Sequence, residues 1–184
     1  VLGAYKDPVA FPFFHPGVAR SIVEESRLFS QSVWEEGPYL DELFTSRTAW
    51  LDSHMEELYG VDAGSAGEGD WQPAELPPEH GGLLGRAAFI GALTNFNAAS
   101  APHRGHLTAR RALCHPLGLA ADDLELSPLV LSTEEGSTPY DILQGHATET
   151  VCHSCHSLMD PIGLALESYD APGRWRDAYG SGTE

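Results

Sequence analysis

The sequence predicts a mainly α fold: a small helical domain with long loops, preceded by an N-terminal helical segment. Three observations carry that reading. Apolar residues recur at helical spacing in several separate stretches. Two long stretches rich in glycine, proline and acidic residues lie between them. The length is 184 residues, of which 42% are hydrophobic. That suits one domain, or one domain with an appended segment, and it is enough apolar content to build a core.

Residues 1–16 contain Pro8, Phe11, Pro12, Phe13, Phe14 and Pro16 and read as an irregular arm packed on the core. Val18, Ile22, Val23, Leu28, Phe29 and Val33 then mark a helix over 17–36, closed by Gly37-Pro38. A short helix follows near 39–45. Another over 47–59 carries the stripe Trp50, Leu51, His54, Met55 and Leu58, and Gly60 ends it. Residues 60–81, rich in glycine, proline and acids, read as a loop and as the internal boundary, dividing the chain into 1–60 and 61–184. Helices resume over 82–93 (Leu83, Leu84, Phe89, Ile90) and 103–114 (Leu107, Leu113). A second acidic connection spans 116–139, where Leu129-Val130-Leu131 reads as a strand or simply extended chain. The remaining helices are expected over about 139–147, over 151–158 with Asp160-Pro161 as its stop, and from Leu164 to Tyr169. Gly163 is expected to allow a turn at a place where a side chain would clash. No internal repeat is visible.

Acidic residues outnumber basic ones 27 to 10, a net charge of −17. This lacks the basic face that nucleic acid requires and opposes an anionic membrane surface. It favours a partner with a basic docking surface, or simply keeps the protein soluble. No apolar run approaches the ~18 residues of a transmembrane helix. The chain opens Val1-Leu2-Gly3-Ala4, without Met, and reads as a processed or excised piece of a longer precursor.

The chemistry is concentrated in Cys152-His153-Ser154-Cys155-His156. C-x-x-C-H is the signature of covalent c-type haem attachment. Two thiols three positions apart can add to the two vinyl groups of one porphyrin, and the adjacent histidine becomes an axial iron ligand. The expectation is one covalent haem c per chain, held by Cys152, Cys155 and His156, in a small helical domain like a c-type cytochrome. Attachment of haem to this motif takes place outside the cytoplasm, so a periplasmic or extracellular location follows. Two other readings stay open. A redox dithiol normally follows a strand in a βαβ unit, and residues before Cys152 predict a helix instead. A tetrahedral zinc site would need two more ligands, from His146, His153, His156 or Cys114. Cys114 itself reads as a buried thiol or as a partner for a part of the precursor not present here. No G-x-G-x-x-G, G-x-S-x-G or H-E-x-x-H pattern occurs.

The run from Cys152 to Arg176, with Met159-Asp160-Pro161, Gly163-Leu164-Ala165-Leu166-Glu167, Tyr169-Asp170 and Gly173-Arg174-Trp175-Arg176, resembles the end of domain-of-unknown-function family 1588. Gly81-Gly82-Leu83-Leu84, Pro102-His103-Arg104-Gly105 and Arg111-Ala112-Leu113-Cys114 resemble upstream parts of the same family. Residues 17–60, closing with Leu58-Tyr59-Gly60, resemble the C-terminal part of the companion family 1592. The resemblance implies an exported mono-haem cytochrome domain over 61–184, following the end of a companion domain over 1–60, within a larger multi-domain protein or assembly.

The resemblance also bears on the second axial ligand. His146, six residues before Cys152, stands where the family usually has His, and could reach the iron; the alternative is a propionate hydrogen bond or a helix cap. Met159 has a ligand's chemistry. Three residues after His156, however, it is expected to stay on the same side and pack on the ring edge. His103, His106, His115 and Met55 are lesser candidates. Arg174 and Arg176 could pair with haem propionates, or with local acids. Trp175 and Tyr169 are expected to cover the haem edge. The function expected first is electron transfer with a redox partner protein. The alternatives are a peroxidase-like haem enzyme with an open distal site, and a structural subunit stapled by zinc or haem.

Overall fold

The computed structural model describes residues 5–36, 39–115, 140–141, 143 and 150–177. The fold is mainly α with a small two-stranded sheet. In chain order the elements are α1 (Pro16–Glu36), α2 (Leu40–Thr45), β1 (Thr48–Leu51), α3 (Ser53–Tyr59), β2 (Gln72–Glu75), α4 (Ala87–Ala92), α5 (Ala101–Leu107) and α6 (Thr150–Leu164). The chain divides into two compact units, Val1–Ala99 with Ser168–Glu184, and Ser100–Glu167.

The first unit is organised by α1. Pro16 opens it, where a missing N–H costs nothing. Val18, Ile22 and Phe29 lie on one stripe and are buried with Leu51, Met55, Leu58 and Leu76. Glu25 shares that stripe and is fully buried against an equally buried Arg86, Nη1 to Oε1 2.8 Å. Arg86 Nη2 also donates to the Ser46 and Thr48 carbonyls, and its guanidinium lies 3.9 Å from the Phe29 ring centre. Burial pushes the Glu25 carboxyl up to about 7, against the pull of Arg86. The N-terminal arm packs down through Phe11 and through Lys6, whose Nζ donates to the Gly91 and Asn95 carbonyls.

Three sequence expectations need correcting in this unit. The helix expected over 47–59 is a strand followed by a helix. Thr48–Leu51 alternates half-buried and buried residues, and Asp52 then caps α3 by accepting from the Met55 N–H at 3.1 Å. The same carboxylate accepts from Ser21 Oγ and the Gly69 N–H. The loop expected over 60–81 contains β2, antiparallel to β1 with Thr48 opposite Glu75 and Leu51 opposite Gln72. That pairing, with Leu76 buried, places residues 61–99 in one unit with 5–60. In place of a helix over 82–93 there is a 3₁₀ turn, Leu83–Gly85, and then α4. Gly82 sits at φ 64° against the Phe44 carbonyl, where no side chain fits.

The second unit packs α5 against α6. Ser100 caps α5 by accepting from the His103 N–H, and Arg104, fully buried, donates from Nη1 to the Leu166 carbonyl at 2.8 Å. A π-turn, Thr108–Ala112, follows. Cys114 comes next at φ 52°, exposed rather than buried. α6 does not stop at Asp160-Pro161: it runs through the proline to Leu164. Proline in a helix interior removes one backbone hydrogen bond, and the close contact with α5 described below holds the helix through it. Residues 165–168 then form turns in place of the expected last helix, and Tyr169 bridges to Trp175 in the first unit. Leu129-Val130-Leu131 and most of the helix expected over 139–147 lie outside the described residues.

Candidate functional site

Glycines set the depth at which α6 lies on α5. A Cβ on Gly105 would fall on the Met159 carbonyl oxygen, and a Cβ on Gly163 would fall on the Ala101 carbonyl oxygen. The two backbones therefore touch at two points, one turn apart on each helix. This is the role of Gly163, rather than the turn expected of it.

Cys152, Cys155 and His156 occupy the first two turns of α6. Residues three and four apart share a helix face, so the helix brings these positions to one side. Cys155 and His156 are half-buried, whereas His153 and Ser154 are exposed. The His156 Nδ1 lies 3.0 Å from both carboxylate oxygens of Asp160, one turn further along. A carboxylate only accepts, so Nδ1 carries a hydrogen, and in the neutral imidazole Nε2 then carries the lone pair. Asp160 is buried, and its carboxylate faces the His156 ring. The sequence reading took Asp160 for a helix stop. The signal for its role was the His-x-x-x-Asp spacing on a helix.

The other expected site residues fall as follows. Met159 is half-buried on α6, its carbonyl against Gly105. Arg174 belongs to the first unit, where Nη2 donates to Glu57 at 3.2 Å and the guanidinium lies over the Phe13 ring. Trp175 and Tyr169 stack edge to face there, and Tyr169 meets the buried His80 ring. Met55 is in that unit's core; His103 and His115 are exposed, and His106 is half-buried. His146 lies outside the described residues. Among the described residues no group of three or more His, Cys, Asp or Glu is gathered to hold a metal ion, and no helix is long and apolar enough to cross a membrane.

Among the described residues of the second unit the buried apolar side chains are Ala101 and Ala109. Leu113 is 59% exposed and Leu158 47% exposed. Leu107, Met159, Ile162, Leu164 and Leu166 are half-buried.

The family model described as "Protein of unknown function (DUF1588)" matches residues 80–179. A second, "Protein of unknown function (DUF1592)", matches residues 2–61. Comparisons with curated proteins and with solved structures give no match.

Proposed function

We propose that this chain, which belongs to the DUF1588 family, is an exported mono-haem c-type cytochrome module for electron transfer. Cys152 and Cys155 would hold haem c through thioether bonds, and His156 would supply the proximal nitrogen. When bound, the haem supplies a one-electron ferric/ferrous couple. The chain's own residues orient and shield it. α5 fixes the position of α6 through Gly105 and Gly163. Asp160 fixes the imidazole tautomer that offers Nε2. Leu158, Met159 and the other half-buried apolar residues would cover the ring.

The observation that carries this reading is the C-x-x-C-H motif on the opening turns of a helix, with its histidine already held by a carboxylate. Leu158, exposed two residues after His156, supports it, because a porphyrin there would cover that apolar side chain. His146 is the candidate second axial ligand. The location follows from haem attachment outside the cytoplasm, and the −17 charge suits a redox partner with a basic face.

The test is a visible spectrum of protein made in a host competent for haem attachment, oxidised and reduced, with a pyridine haemochrome assay. A reduced α band typical of two thioether links is expected, with a low-spin spectrum that resists cyanide and carbon monoxide. A high-spin spectrum that takes up both ligands would replace electron transfer with an open-site haem enzyme. No haem absorption would end the cytochrome reading and leave a metal site or dithiol at Cys152 and Cys155.

A further inference from the structure

The geometry points to Asp160 as the residue that sets the electron affinity of the site, by holding a full negative charge against the axial imidazole. This deepens the cytochrome reading and rests on it. Three observations converge. His156 Nδ1 stands 3.0 Å from both oxygens of the Asp160 carboxylate. The two side chains are largely shielded, at 17% and 8% exposure. Finally, among the described residues no Arg or Lys pairs with Asp160 to cancel its charge.

A histidine ligand usually donates its second ring N–H to a carboxylate, a backbone carbonyl or water, and the partner tunes the basicity of the ring. A carbonyl contributes a dipole; an ionised carboxylate contributes a whole charge. In a shielded setting that charge is weakly screened. It pushes electron density through the imidazole toward Nε2 and favours the more positive, ferric iron. Asp160 is therefore a positioning residue with an electrostatic effect: it aims the ring and lowers the reduction potential. The i,i+4 placement on one helix makes the pair rigid, since α6 alone sets the spacing.

The experiment is a spectroelectrochemical titration of haem-loaded wild type beside Asp160→Asn, Asp160→Ser and Asp160→Glu, with haem content read separately by pyridine haemochrome. Asparagine keeps an oxygen that accepts from Nδ1–H but removes the charge. It is expected to shift the ferric/ferrous equilibrium about ten-fold toward ferrous, a rise of about 59 mV for one electron. Serine should shift it the same way, and glutamate should stay within about three-fold of wild type. Loss of haem from both neutral variants, with Asp160→Glu still loaded, also supports the assignment, because the charge is then needed for the site to form. A loaded neutral variant with an unmoved potential overturns it and leaves the cytochrome reading intact. A wild type without haem removes that reading, and this inference with it.

Discussion

The two compact units bury different things. The first buries side chains: Val18, Ile22, Phe29, Leu51, Met55, Leu58, Leu76 and Ile90, with Glu25 and Arg86 paired among them. The second buries backbone, bringing α5 and α6 together at Gly105 and Gly163. Its buried side chains among the described residues are small or polar: Ala101, Ala109, Arg104, Thr108, Asp160 and Glu167. Apolar burial stabilises by roughly 25 cal/mol per Å², so the first unit carries its own source of stability. Among its described residues the second has close contact and few buried apolar side chains, and the motif that would bring in a large apolar group is in that unit.

The largest expected effect follows from this difference. In a Cys152→Ala/Cys155→Ala double variant, amide exchange should speed up throughout Ala101–Leu107 and Thr150–Leu164. Pro16–Glu36 and Ser53–Tyr59 should keep their protection. Equal loss in both units, or none in either, would erase the distinction. The next effect belongs to the first unit. Glu25→Ala leaves Arg86 buried without its carboxylate, and breaking a buried pair in this way costs about 3–5 kcal/mol, measurable as a lower urea midpoint. Replacing both residues by apolar ones of similar volume should cost much less. Smaller again is Gly105→Ala or Gly163→Ala. A Cβ there meets backbone, which cannot swing aside, and overpacking of this kind costs about 1–3 kcal/mol. The loss should show in α5 and α6 exchange and not in α1.

What could be read from the sequence divides along similar lines. The helix held by its own apolar stripe was legible, α1 at Val18, Ile22 and Phe29; α2 was placed within 39–45 although none of its residues is buried. The C-x-x-C-H motif was legible because its chemistry lies in local spacing. Trp50 and Leu51 were misread as helix, because four residues of alternation are too short to stand out beside the strong helical pattern of His54, Met55 and Leu58. Asp52, the cap that separates the two, gains its partners Ser21 and Gly69 only in three dimensions. β2 was hidden because its pairing with β1 is a tertiary fact. Pro161 looked like a stop because propensity favours one, and packing against α5 prevailed. Gly163 looked like a turn glycine; its need for space, and that of Gly105, is visible only once two helices touch. Asp160 was masked by the proline after it.

The remaining effect is the pH dependence of the first unit. Burial raises the Glu25 carboxyl from 4.5 to about 7, so the folded state binds a proton that the unfolded state has released. Between those values stability falls as pH rises, at no more than about 1.4 kcal/mol per pH unit. His80 works the other way. Burial lowers its pKa from 6.5 although its Nδ1–H donates to the Gly85 carbonyl, so stability falls as pH drops below 6.5. Asp170, raised by burial from 3.8, adds to the Glu25 trend. Because these slopes overlap, a wild-type profile alone would not separate them. A difference profile against Glu25→Gln does, since His80 and Asp170 cancel. Wild type should lose ground to the variant from pH 4.5 to 7 and hold level above. A constant difference across that range would mean that Arg86 keeps Glu25 ionised throughout, and that the buried pair behaves as a fixed salt bridge rather than a titrating one.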